Sequence, residues 1–284
     1  MLLPLLLAAA SLPQQMEQIA AAARGHTGAA VLVVETGRSA SFHGQDRFPM
    51  QSVYKFPIGM AVLHRVDQGA LSLDQKLHVA PGDLVPAGVH SPLRDKHPQG
   101  NIDVSVSELL RLTISESDGA ASDVLMRAAG GAGSVTQYLR SIGAKDIVVA
   151  TTESAMAAGP MVQYRNWVTP VAAVGLLKLL QQGRGLSPRS RTLLLDWMTG
   201  SSPGPKRIKG LLPPGTEVAH KTGTSGTSPD GLTRATNDVG LVTLPDGNHL
   251  AIAVFVSDSR ASTEIREEVI AKIARAAWDW SSRQ

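Results

Sequence analysis

Apolar residues recur at helical spacing between Pro13 and Arg24, where Met16, Ile19, Ala20 and Ala23 share a face. The period then shortens: "AAVLVVET" and "SASFHG" read as two strands joined by Gly37-Arg38-Ser39. From residue 52 to about 200 the helical spacing returns, over 52–68, 105–115, 119–129, 133–142, 170–183 and 188–198, with Gly/Pro-rich breaks between. Beyond it, "TEVAHKTGTSG", "NDVGLVTLPDG" and "HLAIAVFVSDS" are β-branched runs bounded by turn residues, and Asp246-Gly247 marks a hairpin between the last two. Residues 261–280 predict a final helix with Ile265, Val269, Ile270 and Ile273 on one face.

Strands near both ends of the chain with helices between them predict an α/β lobe and an all-α lobe. The expected core is an antiparallel five-stranded sheet built from both ends of the chain, flanked by N- and C-terminal helices. Residues 11–50 and 205–284 would form that discontinuous α/β lobe, and 51–204 the inserted helical lobe. A crevice between two lobes is where a small-molecule site is expected.

Composition narrows the function. At 284 residues and 43% hydrophobic content the chain can bury a large core. The net charge of +3 is scattered, with no long Lys/Arg block and only 4% aromatics, which argues against nucleic-acid binding. The absence of cysteine removes disulfides, thiol nucleophiles and zinc–thiolate sites. The eight histidines show neither His-x-His nor His-Glu-x-x-His spacing, so no metal or organic cofactor is predicted.

Residues 1–10, "MLLPLLLAAA", end in small residues before Ser11-Leu12-Pro13 and read as a short secretory signal, although the first charged residue is Glu17. A misassigned start codon is the alternative. The run is about half of the ~20 residues needed to span a bilayer, so no stable membrane anchor is expected. The expected product is a secreted or periplasmic protein acting as a monomer.

The candidate chemistry begins at "QSVYKFPIG", where Ser52 and Lys55 lie three residues apart. On a helix such residues share a face, so the lysine nitrogen can reach the serine oxygen. A serine becomes a good nucleophile when a neighbouring base accepts its proton, and burial lets a lysine serve as that base. The spacing alone fits a serine cap followed by a solvated lysine better than it fits an activated pair. Three further segments add weight: Ser117-Asp118-Gly119 between two helical stretches, Glu153 in the long irregular connection "TTESAMAAGPMVQYRNW", and Lys221-Thr222-Gly223-Thr224-Ser225-Gly226 on a strand. In the first, Asp118 also reads as a cap and Gly119 as the residue that permits the turn. In the last, small residues let a ligand approach the backbone while lysine and hydroxyls face an anion. His220, beside Lys221, should point to the opposite face.

Ser-x-x-Lys, Ser-Asp-x, a loop Glu and Lys-Thr-Gly, in this order, resemble the class A serine β-lactamases and their penicillin-binding relatives. The resemblance runs from about Pro13 to the last helix and includes "SPLRDKHP" and "NDVGLVTLPDG". "HKTGTSG", "VQYRNW" and "NDVG" look most like the extended-spectrum branch, which implies cephalosporins as well as penicillins among the substrates.

The resemblance implies the serine β-lactamase/D,D-peptidase-like fold and a role for each residue. Ser52 would attack the β-lactam carbonyl, and Lys55 would act as base or relay. The backbone N–H groups of Ser52 and Thr224 would form the oxyanion hole. Ser117, helped by Lys221, would protonate the leaving nitrogen. Thr222, Gly223, Thr224 and Ser225 would bind the substrate carboxylate, with Gly119 and His90 lining the cleft. Glu153 would activate the hydrolytic water, and its presence favours a resistance-conferring hydrolase over a D,D-peptidase-like acyltransferase or a non-hydrolysing penicillin sensor. The sequence departs from the pattern in three places. Ala157 stands where a polar residue often holds the water, and Gly119 replaces an Asn. "TNDVGLV" lacks a carboxylate-binding Arg, for which Arg207 is the matching candidate.

Overall fold

The structure is a computed structural model that describes residues 10–282. The expected leader therefore lies outside the described residues, apart from Ala10. Helix α1 (Leu12–Ala20) starts at Ser11, whose backbone N–H and hydroxyl both donate to Gln14 Oε1, and it buries Leu12, Met16 and Ala20, each four residues apart. Five strands then form one sheet: β1 (His26–Val33), β2 (Ser39–Phe42), β3 (Val218–Thr224), β4 (Thr236–Thr243) and β5 (His249–Ser257). Their order is β2-β1-β5-β4-β3, antiparallel throughout, so chain ends far apart in sequence meet at the β1–β5 ladder.

Period-two alternation sends Ala29, Val31, Val33, Ile252, Val254 and Val256 into one core, and Ala30, Leu32, Ala251, Ala253 and Phe255 into another. Both faces are covered, which is why these strands read as unbroken apolar runs. Strand β1 begins three residues before the run that announces it, because His26, Thr27 and Gly28 continue the ladder opposite Ser257, Val256 and Phe255.

The helical lobe consists of α2 (Lys55–Asp67), α3 (Val106–Ser115), α4 (Gly119–Ala128), α5 (Ala132–Ser141), α6 (Pro170–Gln181) and α7 (Pro188–Thr199). Helix α8 (Thr263–Ser281) closes the chain against the sheet. Side-chain caps from Ser105, Asp118, Thr169, Ser187 and Ser262 fix where α3, α4, α6, α7 and α8 begin. Residues Lys55 to Leu63 of α2 are all buried, and α2 packs on α3, α4, α5 and α7 as the lobe's central helix. Helix α6 packs on β1 and β5, so the second core lies between the sheet and the helical lobe.

Two expectations change. Ile265 is 38% exposed, and Arg266 takes the buried place beside it, bonding Thr236 Oγ1 at 2.9 Å, Thr263 Oγ1 at 3.0 Å and the Ala261 carbonyl. Hydrogen bonds make an arginine tolerable where the apolar count placed an isoleucine. The stretch expected as irregular after residue 150 holds a one-turn helix Glu153–Met156, a 3₁₀ turn Val162–Arg165 and a short strand Trp167–Val168.

Candidate active site

Ser52 lies in a 3₁₀ turn, Gln51–Tyr54, that runs directly into α2. Residues three apart eclipse in a 3₁₀ turn, so Ser52 and Lys55 share a side. The Lys55 N–H donates back to the Ser52 carbonyl, whereas Ser52, in the first turn, has no helical acceptor for its own N–H. Gln51 holds the left-handed conformation, φ 45°, immediately before the serine. Strain of this kind gathers at sites that the surrounding structure over-determines. Here Met50 N–H donates to the Asn166 carbonyl at 2.9 Å, while Asn237 Nδ2 donates to the Pro49 and Met50 carbonyls at 2.8 and 3.1 Å. The Gln51 amide also donates to Gln163 Oε1 at 2.6 Å.

Lys55 is 1% exposed and points inward. Its ammonium donates to the Ser117 carbonyl at 2.6 Å and lies 3.0 Å from Glu153 Oε1, rather than bonding Ser52. That carboxylate oxygen is buried and has no donor in hydrogen-bonding alignment, so the contact is ionic and the oxygen keeps acceptor capacity. A buried cation needs such an anion beside it.

Ser117 itself has φ 62°. The left-handed residue of this turn is therefore the serine, and Gly119 does not supply the turn as expected. A Cβ on Gly119 would sit 3.0 Å from Val89 Cγ1 and 3.1 Å from the His90 carbonyl, so close packing is what the glycine permits. Asp118 is fully buried and caps α4 as expected, accepting from Ala121 N at 2.8 Å, and it also accepts from Ser91 Oγ and Leu93 N at 2.9 and 2.6 Å. His90 is exposed at the cleft rim, its Nε2 2.9 Å from the Glu116 carbonyl.

The third wall is β3, an edge strand. Lys221 is fully buried and donates to Ser117 Oγ at 2.9 Å and to the Thr222 carbonyl at 3.2 Å. Burial, and after it the charge of Lys55, holds its pKa well below the usual lysine range. Ser225 N–H points inward to the Ala235 carbonyl at 2.9 Å, so alternation turns the Thr224 N–H out of the sheet, toward the cleft. A Cβ on Gly223 would lie 2.3 Å from the Met50 carbonyl oxygen. The glycine therefore brings β3 against the Ser52 turn, and it does not face a ligand as expected. His220 is on the far face, its Nδ1 3.0 Å from the buried Asp238 carboxylate.

Arg207 does not line the cleft. It is 5% exposed, donating to Thr224 Oγ1 at 2.8 Å and to the Asn237 carbonyl at 3.0 Å, with Glu267 at 3.2 Å. Its guanidinium is engaged behind the strand and holds Thr224, which does line the cleft, from there.

Glu153 is 7% exposed and opens a one-turn helix capped by Thr152. The Asp123 carboxylate of α4 accepts from Glu153 N at 2.8 Å and from Ser154 N at 2.9 Å. Burial raises the Asp123 pKa above the ordinary carboxylate value. Asn166 closes the loop base, accepting from Ala150 N and Thr151 N at 2.7 and 2.9 Å. Asp123, Asn166 and Asn237 are missing from the residues read off the sequence. Their hydrogen-bond partners are mostly backbone groups of remote segments, and the only local sign is that Asp123 lies one turn beyond Gly119 on the same helix face.

Ser52, Lys55, Ser117, Glu153, Thr222, Thr224, Ser225 and His90 line one cleft of about 680 Å³, and Ala157 lines it beside Glu153. A nucleophile, two buried lysines, a carboxylate and an outward N–H thus converge from α2, the loop before α4, the Glu153 helix and β3. This constellation suits acyl transfer to serine followed by hydrolysis.

The sequence profile described as the beta-lactamase enzyme family matches residues 11–281. The chain is 39% identical over 273 residues to the extended-spectrum beta-lactamase PER-1 of Pseudomonas aeruginosa, covering 96% of this chain and 88% of that one. It is 37% identical to beta-lactamase VEB-1 of the same organism, over 95% of this chain and 90% of the relative. A crystal structure of a beta-lactamase from Chitinophaga pinensis superposes with a TM-score of 0.92 at 46% identity, covering 95% of this chain and 99% of the other. With the profile spanning nearly every described residue and the cleft carrying all four motifs, the chain belongs to the class A branch of the beta-lactamase enzyme family and is a β-lactam hydrolase.

Proposed function

We propose that Ser52 opens the β-lactam ring and Glu153 drives release of the seryl ester. The supporting observation is the buried Lys55 ammonium, bonded to the Ser117 carbonyl and 3.0 Å from Glu153, at the base of the cleft that admits Ser52. Ser52 Oγ attacks the lactam carbonyl carbon, and its proton leaves through Lys55, as relay while the ammonium passes a proton to Glu153, or as base once that transfer has made it neutral. The developing oxyanion accepts from the N–H groups of Ser52 and Thr224, each donor being worth ~10²–10³ in rate in comparable sites. When the C–N bond breaks, Ser117 Oγ protonates the nitrogen and is resupplied from Lys221, whose lowered pKa suits proton transfer. The proton taken from Ser52 returns by way of Lys55 to restore this pair and leave Glu153 ionised. Thr222, Thr224 and Ser225 bind the substrate carboxylate, and Arg207 orients the Thr224 hydroxyl.

Water then attacks the ester carbonyl, Glu153 takes its proton, and Ser52 is regenerated. The free acceptor capacity of Glu153 Oε1 fits a water held between the two residues. Backbone and Glu153 must hold that water, since Ala157 offers no polar side chain.

We further infer activity on cephalosporins as well as penicillins, because the relatives include a protein named as an extended-spectrum enzyme. Export to the periplasm and action as a monomer belong to the same reading. The leader-like segment 1–10 supports export, and no helix among the described residues is long and apolar enough to cross a membrane.

The test is turnover of a cephalosporin by purified protein with intact-mass detection of adducts. Wild type should turn over many equivalents, and Glu153→Ala should stop after one with the acyl group retained on Ser52. A stoichiometric stop in the wild type, or full turnover in Glu153→Ala, would refute the assignment.

A further inference from the structure

We infer that His26, His43 and Asp46 form a surface site for a divalent transition-metal ion of the zinc, nickel or copper type. The three are exposed, and one ligand atom from each lies within 4.8 Å of the others. His26 is the first residue of β1, and His43 follows β2, which pairs with β1 from Phe42 opposite Ala29. Asp46 folds back over His43, its N–H donating to the His43 carbonyl at 3.2 Å. The sheet register thus assembles ligands 17 and 20 positions apart, which no spacing motif in the sequence announces.

The geometry suits one ion. A tetrahedral centre with bonds of ~2.0–2.1 Å holds its donor atoms ~3.4 Å apart. His26 Nε2 and Asp46 Oδ2 already stand 3.1 Å apart, and swinging exposed side chains closes the remaining gap. The two imidazoles are stacked, with centroids 5.1 Å apart and planes 25° from parallel, so one ring must turn for both nitrogens to face a single ion. His43 Nδ1 lies 2.9 Å from the Thr27 carbonyl. Donation there puts the proton on Nδ1 and leaves Nε2 as the lone-pair donor, the arrangement that orients a metal-binding histidine. Phe42 stacks on His43 at 3.9 Å between ring centroids and Phe48 on His26 at 4.8 Å, so metal binding exchanges one of these ring contacts for a coordinate bond.

Two imidazoles and one carboxylate favour borderline ions and provide too few oxygens for calcium or magnesium. Water would complete the shell. The alternative is a plain ion pair between protonated His26 and Asp46, with His43 uninvolved.

The site sits three strands from β3, so it does not depend on the catalytic assignment, and metal should leave β-lactam turnover unchanged. The full-length protein, stripped with EDTA and dialysed, is titrated calorimetrically with ZnCl₂ and separately with NiCl₂. One saturable site is expected, and His26→Ala and His43→Ala should each raise Kd at least tenfold. His78→Ala, which removes the separate His78–Asp103 pair, should not. A hundredfold excess over Kd should raise the wild-type melting temperature by roughly 5 °C. Absence of a saturable site, or equal Kd in wild type and His43→Ala, would overturn the proposal. Asp46→Ala provides the same readout if a histidine variant does not fold.

Discussion

Replacing Gly223 with alanine tests how closely β3 must approach the nucleophile turn. The new Cβ would stand 2.3 Å from the Met50 carbonyl oxygen, whereas such contacts are essentially never shorter than 3.0 Å, so the two must part by about 0.7 Å. Neither side yields easily. The Met50 oxygen is held by Asn237 Nδ2 at 3.1 Å and Met50 N–H by the Asn166 carbonyl at 2.9 Å, while Gly223 is paired with Asn237 in the sheet. Movement of Met50 carries Gln51 and Ser52 with it, and movement of β3 carries Thr224, so the two proposed oxyanion donors separate either way. A misplacement approaching 1 Å costs up to ~10²-fold in rate, about 2.7 kcal/mol in the barrier. The expected result is a fall in kcat/KM of roughly 30- to 100-fold, measured with a chromogenic cephalosporin. Overpacking should also lower stability by about 1–3 kcal/mol, a drop in melting temperature of about 2–12 °C. Gly226→Ala is the matched control, since its Cβ meets nothing within 4 Å at the same cleft. Wild-type turnover and melting in Gly223→Ala, or equal losses in both variants, would refute the reasoning.

Asp123→Ala should leave the N–H groups of Glu153 and Ser154 without their acceptor and loosen the carboxylate that activates water. In stopped-flow measurements deacylation should slow ~10- to 100-fold while acylation changes less than about threefold, an effect of roughly 1–3 kcal/mol for an unpaired buried group. Acid should destabilise the protein. The Asp83 and Glu108 carboxyls are held below their usual range by hydrogen bonds from Arg127 and Arg111. At Asp67 burial acts upward, but hydrogen bonds from Ser187 and Ser190 leave the carboxyl lowered. For all three the unfolded chain binds more protons as pH falls through about 4, so their stabilisation is complete above that range and lost below the folded pKa. Asp123, raised by burial, acts in the opposite sense and is outnumbered. Melting temperatures measured from pH 7 to pH 3 should fall below about pH 5, and a rise there would contradict this account.

Much of this protein is legible in its sequence because local chemistry sets local structure. Ser105, Asp118, Thr169 and Ser187 announce the starts of α3, α4, α6 and α7 by cap chemistry, which requires only a hydroxyl or carboxylate three residues before a free N–H. The unbroken apolar runs of β1 and β5 disclose strands buried on both faces. The four motifs, in order, point to the chemistry through their resemblance to a known family.

What only the tertiary structure decides is how side chains remote in sequence share space. The Lys55–Ser117 and Lys221–Ser117 contacts bridge 62 and 104 positions, and they exist because strand register and helix packing bring those segments together. Arg207 behind Thr224 and Gly223 against Met50 depend on which face of an edge strand each residue occupies, and a shift of one residue in register would reverse both. The left-handed backbone at Gln51 and Ser117 could not be foreseen, since neither is a glycine and the conformation is imposed by hydrogen bonds from distant segments. Local periodicity can be read from one stretch of chain at a time, whereas a catalytic cleft is a property of several stretches held at a common register.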